Sequence, residues 1–156
     1  VPDVEIVEVR TPAELKQAFA IRRAVFVDEQ GVDEALEFDG RDDRAHHLLA
    51  LREGAAVATL RVRWLDGGRT AKIERVAVLP DARGSKIGRA LVEAALALAA
   101  SAGAKTASLH AQTAARGFYR RLGFVAFGPA FMEDGIPHVA MQLSLPADAV
   151  PERRPR

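Results

Sequence analysis

Cysteine is absent from the 156 residues. No disulfide framework, thiolate metal site or cysteine nucleophile can therefore be built from this chain. A reducing, cytoplasmic location is the expectation. Charge of one sign is missing too: 22 basic against 21 acidic residues leave a net charge of +1. Nucleic acid and anionic membranes are recognised by a clustered basic field, so neither is an expected partner. Long apolar runs are also lacking. The nearest candidate, "ALVEAALALAASAGA", carries Glu93 and ends near Gly103, which fits a buried amphipathic helix better than a bilayer span. Near the amino terminus Asp3, Glu5 and Glu8 stand where a secretory leader would be basic, so no signal peptide is expected. No internal repeat is visible. The histidines show no ligand spacing, and no metal site is expected.

What is present suffices for one domain. Hydrophobic residues make up 49% of the chain, and its length suits a single core. "VEIVEVRT" alternates as a strand does. Thr11, Pro12 and Glu14 form a capping signature that opens a helix through "AELKQAFAIRRAVFVDEQ", with Leu15, Phe19, Arg22 and Phe26 along one side and Gly31 as its stop. The acid-rich "VDEALEFDGRDDRA" predicts a short helix and a solvated loop. "HHLLALRE", "AAVATLRVRWL" and "TAKIERVAVL" predict three strands joined at Glu53-Gly54 and Asp66-Gly67-Gly68. A long helix, a strand "TASLHA", a helix "TAARGFYRRL" and strands opening at "GFVAFG" and closing with "IPHVAMQLSL" complete the order. This is an α/β (α+β) chain with a mixed central sheet flanked by helices on both faces. The strands on either side of the long helix are expected to be parallel neighbours. A single domain is expected over 1–145, with a flexible tail over 146–156.

The turn "ARGSKIGR" sits at the mouth of the long helix. Amides there lack intrahelical partners, and with the helix dipole they favour an anion. Gly84 and Gly88 allow close backbone approach, and Arg83, Lys86 and Arg89 add positive charge. A plain strand-to-helix connection would look similar. There is no GK[ST] and no GxGxxG after the first strand, which excludes the two commonest nucleotide loops.

In "VAVLPDARGSKIGRALV" the residues Val76, Ala77, Val78, Pro80, Arg83, Gly84 and Gly88 resemble the pyrophosphate loop of the GNAT superfamily of N-acetyltransferases, R/Q-x-x-G/A-x-G/A. Lys86 departs from the first G/A of that pattern. "LHAQTAARGFYRRLGF" resembles the superfamily's FYxxLGF block through Phe118, Tyr119, Leu122, Gly123 and Phe124. "RRAVFVDEQG" and "FMEDGIPHVAM" resemble a bacterial branch with VFxxEQ and GIPH signatures. The blocks reach from Ile21 to Met141 in order.

The resemblance implies a GNAT-like acyl-CoA N-acyltransferase fold and acetyl-CoA as donor. It implies a primary amine as acceptor: a small molecule, an amino sugar or a peptide amine. Cofactor contacts are implied at Val76, Ala77 and Val78, at Arg83, Gly84, Ser85, Lys86, Ile87, Gly88 and Arg89, and at Gln112, Phe118 and Tyr119. Tyr119, the only tyrosine, is implied as the acid that protonates the leaving thiolate. Glu74 is a candidate base, or else the partner of Arg61 or Arg63. On strand alternation it shares a face with Val76 and Val78, and Arg75 points away. Glu29, Gln30, His110 and His138 are candidates for the acceptor pocket; Glu29 could equally pair with an arginine. Gly135 and Pro137 are expected to fix a turn that orients His138. The competing reading is a non-catalytic acyl-CoA-binding sensor or interaction domain. A homodimer is left open.

Overall fold

A computed structural model describes residues 3–146. The expectation of a flexible tail lies almost wholly outside them. Seven strands run in the sheet order β1-β2-β3-β4-β5-β7-β6. Four α-helices accompany them, α1 (Pro12–Arg22), α2 (Glu34–Glu37), α3 (Ile87–Ser101) and α4 (Arg116–Arg121). The sheet is mixed, as expected: β4 and β5 are parallel, whereas β1–β2, β2–β3, β5–β7 and β6–β7 are antiparallel. Two compact units divide the chain. One holds the residues up to Arg63 together with Glu74–Ala94; the other holds Trp64–Ile73 and the residues from Ala95 onward.

In the first unit β1 (Val4–Glu8) pairs with β2 (His46–Arg52), and β2 with β3 (Ala55–Leu65). Glu53 and Gly54 both have positive φ, 54° and 82°. That is the twist a two-residue hairpin requires. Helix α1 starts as its sequence dictates. The Thr11 hydroxyl accepts from the Glu14 amide at 3.1 Å, and the Glu14 carboxylate accepts from the Thr11 amide at 3.1 Å and the Arg10 amide at 2.7 Å. These bonds satisfy orphan donors of the first turn. The helix does not continue unbroken to Gln30. From Arg23 to Glu29 it widens into a π-helix, with the Gln30 amide donating to the Val25 carbonyl at 3.1 Å. The widened turn lets neighbours Val25 and Phe26 pack on one apolar cluster with Ala18, Ile21, Leu49 and Ala77. Ala77 belongs to β4 (Thr70–Val78), so this cluster anchors the helical segment on the strand that precedes the glycine turn.

In the second unit, Thr70 to Lys72 of β4 pair in parallel with Thr106 to Ser108 of β5 (Thr106–Gln112). β7 (Ile136–Ser144) lies between β5 and β6 (Val125–Glu133). The β6–β7 turn is made by Asp134 and Gly135, with φ of 55° and 77°. Pro137 is not part of it; it lies inside β7 opposite Met132. Leu109, Ala111, Val139 and Met141 are buried, which places the apolar face of β5 and β7 in the core.

Candidate functional site: the acyl-CoA loop, an internal charge network and a histidine face

Alternation fails at Arg75. It has φ 59° in the middle of β4, a conformation sparsely populated by residues with a Cβ. The side chains of Glu74 and Arg75 consequently join one network instead of pointing apart. Glu74 Oε1 accepts from Arg61 Nε at 2.9 Å and from Arg63 Nε at 2.8 Å, and Oε2 accepts from Arg63 at 3.2 Å. Arg61 forks onto Asp39 at 2.9 and 2.8 Å and also donates to Asp42 at 2.9 Å. Arg75 reaches Asp39 at 3.4 Å and Glu37 at 3.1 Å. Arg22 donates to Glu37 at 2.8 Å and Asp42 at 2.7 Å, with its guanidinium over the rings of Phe19 and Phe38.

Four arginines thus meet four carboxylates. Arg22 and Arg61 are each only 1% exposed. The Arg61 guanidinium holds the Asp39 carboxyl well below its usual range. Burial opposes ionisation of Asp42, yet Arg22 and Arg61 keep it below its ordinary value. The acid-rich segment after Gly31 forms the expected short helix and stays largely exposed, but Glu37, Asp39 and Asp42 are drawn into the network. It supplies the internal counter-ions without which two buried guanidinium ions would be prohibitive. Glu74 takes the arginine-paired role among its alternatives. Its oxygens accept three N–H bonds from those two arginines.

Beyond Val78 the chain makes a short 3₁₀ turn over Pro80–Ala82. Arg83 then folds back. Its Nε donates to the Val78 carbonyl at 2.8 Å, and its two terminal nitrogens grip Glu29 at 2.8 and 2.7 Å. Arg83 lowers the Glu29 carboxyl from its ordinary value, against a smaller effect of burial. Glu29 thus pairs with an arginine, while Gln30 caps the π-helix beside it. Gly84 has φ 80° and open space where a Cβ would stand. Lys86 has φ 68°. It holds a left-handed backbone at the position where the resembled pattern places Gly or Ala. A lysine there carries a steric cost of about 1 kcal/mol or more. Ser85 is held by donation from its hydroxyl to the Ala82 carbonyl at 2.6 Å.

Ile87 is buried and fixes the helix start. The Ala90 amide donates to the Lys86 carbonyl at 3.1 Å. The amides of residues 87–89 precede that bond and have no acceptor within the helix. Backbone donors, a dipole terminus and Lys86 make a donor set that fits an anionic pyrophosphate; the Arg89 guanidinium beside them donates from Nε to Glu93 at 3.1 Å.

In the second unit, Tyr119 of α4 is 8% exposed, with its ring edge-on to Phe118 at 4.9 Å and Phe124 at 5.9 Å. Burial pushes its phenol well above the ordinary value. His138 faces Gln112 across β5–β7 and Phe131 across β6–β7. Its ring is held by donation from Nδ1 to the Ile136 carbonyl at 2.7 Å, not by a proline turn. His110 Nδ1 lies 2.8 Å from Glu133 Oε1. Sequence reasoning missed Glu133, the left-handed Arg75 and the network around Arg61. One signal was present: an arginine on the apolar side of a helix, at Arg22, demands a carboxylate nearby. Among the described residues no group of three or more histidines and acids is placed to hold a metal. No helix there is long and apolar enough to cross a membrane.

Comparison with known proteins gives this geometry a lineage. The family model described as an acetyltransferase (GNAT) domain matches residues 8–145. The chain is 40% identical over 141 residues to the uncharacterized protein YyaT of Bacillus subtilis, covering 88% of this chain and 94% of that one. It is 36% identical over 129 residues to the uncharacterized N-acetyltransferase YjcF of the same species, covering 82% and 91%. Among solved structures, an acyl-CoA N-acyltransferase from Pseudomonas aeruginosa superposes with a TM-score of 0.77 at 34% identity, over 90% of this chain and 99% of that one. The anion-ready helix mouth after β4 thus sits in a fold whose members use acyl-CoA, and the chain belongs to the GNAT acetyltransferase family.

Proposed function

We propose that this protein transfers the acetyl group of acetyl-CoA to a primary amine by direct attack in a ternary complex. The observation that supports this most is the loop of residues 83–89, where the first-turn amides of α3, which have no acceptor within the helix, lie beside basic side chains. In this reading the amides from Gly84 to Arg89 take the pyrophosphate, with Lys86 and Arg89 adding charge. Arg83 serves as the strut that shapes the loop, since its guanidinium is engaged by Glu29 and Val78. The backbone of Val76 to Val78 takes the pantetheine amides. Gln112, Phe118 and Tyr119 complete the contacts to the cofactor.

The reaction forms a C–N bond and breaks a C–S bond. One proton must leave the amine and one must reach the departing thiolate, because an amine titrates near ~10 and a thiol near ~8.5. The chain holds no cysteine to carry the acetyl group. Tyr119 gives its proton to the sulfur. A phenol kept neutral by burial is loaded for that donation at ordinary pH. Gly88→Val tests the loop, because it places a branched side chain among the amides. A folded variant, checked by its thermal melt, should bind acetyl-CoA at least tenfold more weakly, about 1.4 kcal/mol. Unchanged affinity would remove the pyrophosphate from this turn.

A further inference from the structure

Strand register puts His110, Gln112, His138, Ala140, Phe131 and Glu133 on one face of the β5–β7–β6 sheet, because directly paired residues share a side. His110 and Glu133 reach toward each other over β7, where His110 is paired with the small Ala140. We infer that His110 is the general base of the reaction and Glu133 the positioning residue that sets its tautomer. The inference rests on the N-acyltransferase reading above.

Glu133 Oε1 lies 2.8 Å from His110 Nδ1. A carboxylate can only accept, so Nδ1 carries the proton. Nε2 of the neutral ring is then left with its lone pair. The ring is further fixed by Phe131, edge-on at 5.0 Å. His110 is 35% exposed along its side chain, so an amine can reach it and water can take the proton afterwards. The carboxylate also stabilises the imidazolium formed in between. As the amine nitrogen bonds to the acyl carbon, its proton passes to Nε2, and from there to solvent.

The other candidates are less suited. Glu74 is already engaged by Arg61 and Arg63. His138 is 7% exposed, stacks on Phe131 at 6.1 Å and has only a carbonyl on Nδ1. The groups that face His110 are Glu133 and Phe131 of β6, with His138 of β7 on the far side of Phe131.

Two measurements test the pair. Long-range ¹H–¹⁵N NMR of the histidine side chains in the whole protein should show His110 protonated at Nδ1 and bare at Nε2, with that preference lost in Glu133→Ala. A ring protonated at Nε2 would overturn the assignment whatever the enzyme acetylates. In kinetics, His110→Ala should lower kcat by about 10²-fold or more with acetyl-CoA affinity within twofold, and added imidazole should restore at least tenfold. Glu133→Asp should retain more kcat than Glu133→Ala, with the KM for acetyl-CoA unmoved in both. Full activity of His110→Ala, or a loss that imidazole restores only in His138→Ala, would overturn the base role. If NMR shows the tautomer but no amine is turned over by the wild type, the functional reading fails and the base role with it, while the histidine–carboxylate pair stands.

Discussion

At the scale of single residues, the start of α1 is set by side-chain and backbone bonds between neighbours in the chain. Thr11, Pro12 and Glu14 announced a helix start because a capping box is a short-range hydrogen-bond pattern, and the bonds form as written. Legibility was weakest where a side chain's partner is remote in sequence. Glu29 could be read as an acceptor anion or as an ion-pair partner, and only the fold brings Arg83, 54 residues later, onto it. Tyr119 was legible as a residue, but not its environment: burial among Phe118 and Phe124 raises its phenol above the ordinary value. Tyr119→Phe keeps the ring and removes only the hydroxyl. If Tyr119 protonates the leaving sulfur as proposed, kcat should fall by about 10²-fold while acetyl-CoA affinity changes little, because such a proton matters most when charge develops in the transition state. Equal turnover of variant and wild type, with chemistry rate-limiting, would remove Tyr119 from the mechanism.

Among the elements, the order of strands and helices was legible from period and punctuation, including the parallel pair β4–β5 that brackets α3. Three features were not. The π-helix over Arg23–Glu29 has the same apolar residues an α-helix would use. The left-handed Arg75 interrupts the side-chain alternation of β4 at a residue that nothing local marks out. The segment from Glu34 to Arg44 looks solvated by composition, yet its carboxylates complete a network with arginines of α1, β3 and β4. Such a network is costly to break from one side, because the groups left behind are buried charges. Arg61→Leu removes the one partner that Asp39, Asp42 and Glu74 share, leaving them only Arg75, Arg22 and Arg63 respectively among these arginines. It should destabilise the fold by about 3–5 kcal/mol in denaturant unfolding. A loss within the ordinary surface range would mean that water already satisfies those carboxylates.

For the molecule as a whole, the same groups set the response to acid. His47 is 4% exposed; its Nε2 donates to the Asp42 carbonyl at 3.0 Å and its Nδ1 is buried without a protein partner. Burial lowers its pKa. The unfolded chain therefore binds a proton below about 6.5 that the folded chain resists, and stability falls as pH drops through that value. Asp39 and Asp42, both lowered in the fold, add a second loss below about 3.9. Glu37, raised by burial against the pull of Arg22 and Arg75, acts with the opposite sign and softens the slope between those windows. Thermal melts from pH 7.5 to 5 should therefore fall in the wild type and flatten in His47→Gln. Parallel curves would show that another group carries the upper window.

The central claim is transfer of an acetyl group to an amine, and one measurement bears on it most directly. Wild-type protein is incubated with acetyl-CoA and a panel of primary amines, covering small amines, amino sugars and peptide amines. Free thiol is followed in time and the products are weighed by mass spectrometry. The expected result is amine-dependent thiol release matched one for one by a product about 42 Da heavier than its amine, with no stable acetylated protein building up. Acetyl-CoA bound tightly at the mouth of α3, yet no thiol released with any amine, would contradict it and leave a domain that senses acyl-CoA without turning it over.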